Sequence, residues 1–353
     1  MNKTANQLSV ILDSVANAVA AWTVSRHAEI DPTLQQRYGD RWNCQWVDDT
    51  RMRILQLAQS IAVREPLLFI DAAAWARTAY KARGMRADDL DTNLRSLREV
   101  LESDVPEPVR ETAVAYVTRA IDDGGMSLAE EVPRFGTEGP YHIEVLRYLE
   151  TVLTGLRNEA EQIVFDLVDS GISIQDIYTF ILTPAQREVG RMWQRDEITI
   201  ADEHLASRTI EGVMGALRAR FDPAKATGRT VLTTTVGGDL HGVGVQMIAD
   251  LFELDGWRSL NLGANMPITN LREVLCAHKI DLLAISASSS MYVRSVGELI
   301  DQLRGAPADD IKVIVGGHPF NIAPKLWREL GADGTAPSAV EAVAIGNQLV
   351  AAR

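Results

Sequence analysis

The sequence predicts an α plus α/β architecture: an all-helical N-terminal domain, then a four-helix bundle, then a doubly wound parallel sheet of five strands. Residues 1–133 repeat apolar side chains at helical spacings without an alternating strand pattern. Residues 141–221 return to helical spacing after a break that is rich in proline and glycine. Beyond them, short apolar runs alternate with helical stretches, which is typical of parallel strands joined by crossover helices.

Length, charge and cysteine content exclude several classes of protein. The chain has 353 residues and a formal net charge of -13. Because no cluster of Lys and Arg stands out, we expect no direct nucleic-acid binding. The N-terminus lacks a signal-peptide pattern and no run of uncharged apolar residues is long enough to span a membrane, so a cytoplasmic location without membrane contact is expected. Cys44 and Cys276 form neither a disulfide framework nor a zinc motif, and we expect both to be packing residues.

The N-terminal helices are predicted from "MRILQLAQSIAV", "LFIDAAAWARTAY" and "LDTNLRSLREVLESDV". The segment "EVPRFGTEGPYH" then collects proline, glycine and charge, as an interdomain linker does. We therefore divide the chain into domains at 1–137, 138–224 and 225–353. Because no histidine lies between His27 and His142, the usual proximal ligand of haem is missing from the first domain.

The bundle and the sheet follow in order. Four amphipathic helices, enough for a compact bundle, are predicted from "IEVLRYLETVLTGL", "EAEQIVFDLVDS", "SIQDIYTFILTPAQREVGRMW" and "ADEHLASRTIEGVMGALRARF". The predicted strands are "TVLTTTV", "RSLNL", "LLAIS", "KVIVGG" and, more weakly, "DGTA". In such sheets ligands bind beyond the carboxyl ends of the strands, where the first strand turns into its helix.

The stretch "GGDLHGVG" occupies that position. A neutral imidazole at His241 is a good metal ligand, and a carboxylate at Asp239 could fix its tautomer. The surrounding glycines would let a bulky group lie against the backbone. The alternative is that Asp239 caps the next helix and that His241 is incidental. Phosphate binding is less favoured, because neither "GxGxxG" nor "GxxxxGK[ST]" occurs.

The pattern Asp239-x-His241-x-x-Gly244 resembles the signature of cobalamin-binding domains related to methionine synthase and the cobalamin mutases. The resemblance implies a flavodoxin-like sheet, His241 as the lower axial ligand of cobalt, and a nucleotide tail that enters the sheet. Ser288 departs from the Leu or Thr usual there, which leaves the tail contact open. The cofactor-binding residues implied in this domain are Asp239, His241, Gly242, Gly244, Ser286, Ser288, Gly316 and Gly317.

In the bundle, Trp193 is followed after nine residues by Glu203 and His204. This pattern resembles that of adenosylcobalamin-dependent photoreceptors of the CarH/LitR type, and it implies that these three residues line the upper face of the cofactor. An indole offers an apolar wall, and Glu203 can accept hydrogen bonds from ribose hydroxyls. The alternative is a core tryptophan beside a surface pair. Gln194 stands where such proteins often have a histidine, which excludes a second histidine ligand from that position.

A helical domain before this module resembles the photocobilins, photoreceptors that bind cobalamin and biliverdin. The resemblance implies a globin-like first domain that holds biliverdin, which we expect to be noncovalent. Arg26, Arg77 and Arg83 could pair with bilin propionates, although solvated helix faces are the commoner role of such residues. Cys44 could form a thioether, but packing is again the commoner role.

The sequence thus predicts a light-sensing receptor rather than an enzyme. The four-helix bundle would form a cap over the cofactor, and loss of the adenosyl group in light would let this cap move and change subunit contacts. We therefore expect a homo-oligomer whose state depends on light and which signals to a downstream protein partner. The alternatives are a corrinoid methyl carrier or mutase subunit, and a cobalamin-binding regulator without photochemistry.

Overall fold

The computed structural model describes residues 3–123, 140–304 and 310–351, and it confirms the predicted fold class. The helices are α1 (Lys3–Ile30), α2 (Leu34–Tyr38), α3 (Trp42–Ala62), α4 (Leu67–Ala82), α5 (Ala87–Asp104), α6 (Val109–Asp122), α7 (His142–Leu153), α8 (Arg157–Asp169), α9 (Ile174–Ile177), α10 (Thr183–Gln194), α11 (Ile200–Leu217), α12 (Val243–Leu254), α13 (Ile268–Ala277), α14 (Val293–Leu303), α15 (His318–Ile322), α16 (Leu326–Glu329) and α17 (Ala339–Ala351). The strands are β1 (Thr230–Val236), β2 (Arg258–Met266), β3 (Leu282–Ser286), β4 (Lys312–Gly316) and β5 (Gly334–Ala336).

The five strands form one parallel sheet in the order β2-β1-β3-β4-β5. This is the flavodoxin-like order, whose switch point lies between β1 and β3. β1 and β3 match their predicted segments. β2 runs on to Met266, beyond the predicted "RSLNL", because the residues that follow include Gly263 and Asn265, which are atypical of strands. Both have positive φ, and the register with β1 shifts after Thr233. The loop "GGDLHGVG" leaves the carboxyl end of β1, as predicted.

The bundle consists of α7, α8, α10 and α11, and its core includes the fully buried Tyr148, Val189 and Met214. The predicted third helix is not continuous, because α9 passes into a π-helical turn at Tyr178–Leu182 before α10 begins. At the start of α11, Thr199 and Asp202 form a reciprocal capping box. The cap helix that carries Glu203 and His204 therefore starts at a defined residue.

By contact density the described chain forms two compact units. One contains residues 3–123 together with 289–301 and 318–331, and the other contains the bundle and the sheet. Within the first unit, Arg294 of α14 donates to Asp13 at 2.6 Å and to Ser9 at 2.9 Å in α1. The helices that follow β3 and β4 thus group with the N-terminal helices, while the division into three domains stays a prediction.

α1 is the one described helix that is long and apolar enough to cross a membrane by length and composition. It buries Leu12, Val19 and His27 in the core of its own unit, as the central helix of a helical domain does. The expected cytoplasmic location stays a prediction.

Both cysteines lie at the surface, so the expectation that they are packing residues is wrong. Cys276 follows Leu275, which faces the core from α13, and the next residue on a helix points about 100° away. Cys44 lies in the first turn of α3, ahead of the first buried residue of that helix, Trp46.

Candidate cofactor site

His241 presents one ring nitrogen to solvent at the carboxyl end of β1. Its Nδ1 lies 2.9 Å from Oδ1 of Asp239, and its side chain is 72% exposed. A hydrogen bond at Nδ1 fixes the tautomer that leaves the lone pair on Nε2. The imidazole is therefore held in the form that a metal ion requires.

Asp239 is fully buried and well supplied with donors. Ser288 donates to it twice, from the backbone nitrogen and from Oγ, each at 2.8 Å, and the His241 backbone nitrogen donates at 3.2 Å. Burial acts to raise the pKa of Asp239, but the hydrogen bond with the His241 side chain, followed by those from Ser288 and the His241 backbone, holds the pKa below its ordinary value. The carboxylate stays ionised at neutral pH and can orient the imidazole.

The same contact acts on His241. The hydrogen bond to Asp239 raises the pKa of His241, burial opposes the rise, and the negative charges of Asp239 and Glu203 add to it. A Cβ on Gly242 would lie 3.6 Å from Oε1 of Glu211, which follows Glu203 by eight residues on α11. The loop that carries His241 therefore lies beside the helix that carries Glu203.

The loop around His241 is held by neighbours that sequence reasoning missed. Thr235 donates through Oγ1 to the carbonyl of Asp239 at 2.7 Å. The Asn265 backbone nitrogen donates to the same carbonyl at 2.9 Å, and its Oδ1 accepts from Gly238 N at 2.7 Å. Asn265 could be found only from the pairing of β1 with β2, which sets Val236, at the end of β1, beside Met266, the residue after Asn265. Hydrogen bonds to the Gly238 nitrogen and to the Asp239 carbonyl therefore hold the glycine-rich loop in place.

Ser288 has a clear task even though it departs from the expected motif. A Ser288→Ala variant removes the Oγ donor and keeps the backbone donor, so the imidazole is aimed less firmly. We expect about a 10-fold loss of cobalamin affinity, the lower end of the effect of such supporting residues. Equilibrium dialysis with hydroxocobalamin measures it.

Ser259→Ala is the matched control, because the buried Oγ of Ser259 has no hydrogen-bond partner among the described residues. Equal affinity of the two variants would show that the Ser288 hydroxyl does not support the site.

The predicted glycines fall into two classes. A Cβ on Gly317, where φ is +100°, would lie 2.1 Å from the carbonyl oxygen of Ala287, and one on Gly316 would lie 2.8 Å from that of Ala336. These glycines are required by the approach of neighbouring strands. A Cβ on Gly242 would have ordinary contacts with Glu211 and Ala264. At Gly244 it would meet no atom of the described residues within 4 Å, so open space lies beside the loop.

Ser286 lies at the end of β3, in register with Thr235 on one side and Gly316 on the other. It is thus placed at the carboxyl edge of the sheet beside the loop, as predicted. Its part in cofactor binding stays a prediction.

The predicted cap residues sit near the turn between α10 and α11. Glu203 accepts from Ser207 Oγ at 2.7 Å and lies 2.6 Å from Nδ1 of His204, and its side chain is 21% exposed. His204 is itself largely exposed. Trp193 is half-buried in the last turn of α10. Glu203 is thus the cap residue whose carboxylate is fixed by neighbours.

The residues present fit a metal that brings its own equatorial ligands. In the ranges 3–123, 140–304 and 310–351 no group of three His, Cys, Asp or Glu side chains could hold a bare ion. One oriented imidazole beside open space suits instead an axial bond to the cobalt of a corrin ring.

The N-terminal unit has a cavity of its own. It is a half-open cleft of about 390 Å³ that is lined by Tyr38, Gln45, Trp46, Asp48, Asp49 and Met85. Behind Trp46 lies His27, edge-on at 5.0 Å between ring centroids and fully buried. Neither ring nitrogen of His27 bonds to any described residue, and burial lowers its pKa. His27 is thus a buried histidine of the N-terminal unit, although no histidine follows it before His142.

The three arginines considered for bilin propionates already have partners. Arg26 pairs with Glu29 and Glu99, and Arg77 donates twice to Asp91. Arg83 donates to the carbonyl of Ala79. Arg77, whose side chain is mostly buried, also donates to the Ala120 carbonyl and so joins α4 to α5 and α6.

Parts of the sequence are similar to known families and proteins. Two family models, each described as a B12 binding domain, match residues 146–218 and 229–344. Monomethylamine corrinoid protein 1 of Methanosarcina acetivorans is 27% identical over 191 residues, 52% of this chain and 87% of its own length. The dimethylamine corrinoid protein of Methanosarcina barkeri is 25% identical over 213 residues, 59% of this chain and 98% of its own length.

Among solved structures, the monomethylamine corrinoid protein of Methanosarcina barkeri aligns with a TM-score of 0.53 and 22% identity, over 59% of this chain and 99% of its own. This likeness bears on the fold. The bundle and the sheet therefore form a cobalamin-binding module, while neither family model reaches the N-terminal helices. The expectation that the chain is not an enzyme agrees with the names of the two relatives, which are those of corrinoid proteins.

Proposed function

We propose that the chain is a light-responsive receptor that binds adenosylcobalamin between its four-helix bundle and its parallel sheet. His241 would be the lower axial ligand, supported by Asp239 and Ser288. Bound adenosylcobalamin supplies a cobalt–carbon bond that visible light breaks. The protein's part is to hold the imidazole, to receive the adenosyl group at the cap and to respond when that group leaves.

Glu203 is the observation that carries the adenosyl proposal. Its carboxylate is fixed by Ser207 and His204, and α11 passes beside the loop that carries His241. A carboxylate in this position suits an upper ligand with hydroxyl groups, because an ionised carboxylate has about four acceptor sites and Ser207 and His204 occupy one on each oxygen. The ribose of an adenosyl group offers such donors, whereas a methyl group offers none. Trp193 and His204 would complete the upper pocket.

A corrinoid methyl carrier is the second candidate. The names of the relatives favour it more directly than the receptor, since they are methylamine corrinoid proteins. As a carrier, the chain would leave the upper face of the bound corrinoid open to a partner methyltransferase. Those relatives match about half of this chain, and the N-terminal helical unit is the further part that a receptor would use.

Biliverdin in the N-terminal unit belongs to the receptor proposal. The cleft beside Trp46, which has Tyr38, Asp48 and Asp49 in its lining, supports a ligand with hydrogen-bonding groups in that unit. A far-red absorption band after addition of biliverdin would establish it. No such band at saturating biliverdin would remove the bilin from the proposal and leave the cobalamin site intact.

Light should change the assembly of the loaded protein. We expect the adenosylcobalamin form to elute from size-exclusion chromatography as a different oligomer after green illumination, because loss of the adenosyl group removes the differential contacts at the cap. The methylcobalamin form is the control: its photolysis should leave elution unchanged. Identical elution of the adenosyl form in darkness and light, with methylcobalamin bound equally well, would favour the methyl carrier.

A further inference from the structure

Asp250 is a buried carboxylate near the C-terminal end of α12, away from the loop that carries His241. It is fully buried, and its neighbours come from both parts of the module. From the cap, Tyr178 donates to Oδ2 at 2.7 Å and Arg218 donates to Oδ1 at 2.5 Å. From α12 itself, Gln246 donates to Oδ1 at 2.6 Å. One carboxylate thus accepts from three donors, two of which come from across the junction of cap and sheet.

The network continues into the sheet. Asn261 of β2 donates to the side-chain oxygen of Gln246 at 2.6 Å, and Thr233 of β1 donates to Asn261 at 3.2 Å. Arg218 also pairs with Glu253, one turn from Asp250. Bonds to a buried charge are stronger than neutral ones, and losing one partner is costly. The junction is therefore fixed by directional bonds as well as by apolar packing.

The two cap donors stand at matching ends of two helices. Tyr178 begins the π-helical turn that leads into α10, and Arg218 follows directly after α11. Trp193 lies at the far end of α10 and Glu203 near the start of α11. At 1.5 Å per residue, Glu203 is about 22 Å along the helix from Arg218. Asp250 thus holds one end of a helical hairpin whose other end carries the predicted cofactor residues.

We propose that Asp250, with Tyr178 and Arg218, is the pivot that positions the cap over the cofactor. Asp250 is a positioning residue, because it acts through the two helices. A rotation of about 10° at this pivot moves Glu203 by about 4 Å over that length, enough to open the upper face. Glu203, by contrast, uses both of its carboxylate oxygens within α11. The inference rests on the proposed cobalamin site.

The test measures access to the upper face of the loaded protein. With hydroxocobalamin bound, glutathione replaces the upper water ligand, and absorption follows the rate. We expect Asp250→Asn to raise this rate at least about 10-fold, since it removes the buried charge and one of its two acceptor oxygens, and Tyr178→Phe to raise it several-fold, since it removes one donor. The spectrum of histidine-ligated cobalamin should stay that of the wild type, which a general loosening of the fold would not leave intact.

Arg220→Ala is the control, because it breaks an exposed ion pair with Asp169 inside the cap and should leave the rate unchanged. If Asp250→Asn does not fold, Tyr178→Phe decides alone. Wild-type rates in folded, histidine-ligated variants would overturn the pivot and leave the cofactor proposal standing. A wild-type protein without a histidine-ligated spectrum would overturn the cofactor proposal instead.

Discussion

A His241→Ala variant is expected to lose the absorption spectrum of histidine-ligated cobalamin and at least about 100-fold in affinity, more than the loss of a supporting partner causes. The substitution removes the imidazole, and with it the ring nitrogen that would bind cobalt, from the loop that follows β1. Asp239 keeps both donors from Ser288, so the buried carboxylate remains satisfied and the apoprotein should stay folded. Equilibrium dialysis and absorption of the hydroxocobalamin complex measure both effects.

His278→Ala is the matched control, since it removes an exposed imidazole that follows α13. It should bind cobalamin as the wild type does. If the histidine-ligated spectrum persisted in His241→Ala, another residue would be the lower ligand, and the tasks of Asp239 and Ser288 would need a different account.

The parts of the fold that depend on local pattern could be predicted from the sequence. β1 and β3 are buried apolar runs with sharp ends, and their predicted segments match the strands. The contact between Asp239 and His241 spans two residues, so the spacing alone was enough to suggest it. The bundle helices follow from their apolar spacing, and the family models agree with bundle and sheet as a cobalamin-binding module.

The remaining features depend on contacts between distant segments. Ser288 meets Asp239 across 49 residues, and only the sheet register brings them together. Tyr178 and Asp250 are 72 residues apart, and the helical pattern shows neither their bond nor the π-helical turn. The contact between His27 and Trp46 also joins distant segments, α1 and α3, so the sequence pattern of α1 alone does not reveal it.

A Gly317→Ala variant should destabilise the module by about 3–5 kcal/mol, the upper range for a single substitution. The left-handed φ of +100° disfavours any side chain, and the new Cβ would meet the Ala287 carbonyl at 2.1 Å. Because Ala287 precedes Ser288, the backbone shift that relieves the clash would also disturb the donors to Asp239. Thermal unfolding of the apoprotein measures the loss.

Gly244→Ala, in contrast, should leave the apoprotein as stable as the wild type or slightly more stable, and should lower its affinity for cobalamin. Gly244 lies in the first turn of α12, where alanine favours the helix by up to about 1 kcal/mol, and its Cβ would meet no described atom within 4 Å. The apoprotein should therefore unfold at the same or a slightly higher temperature. If the open space beside Gly244 is filled by the corrin ring, cobalamin affinity should still fall about 10-fold, as for a disturbed supporting residue. Unchanged affinity would mean that the ring does not approach the backbone here, and a loss of apoprotein stability would mean that the glycine serves the fold. The two glycines together separate what the sheet requires from what the cofactor requires.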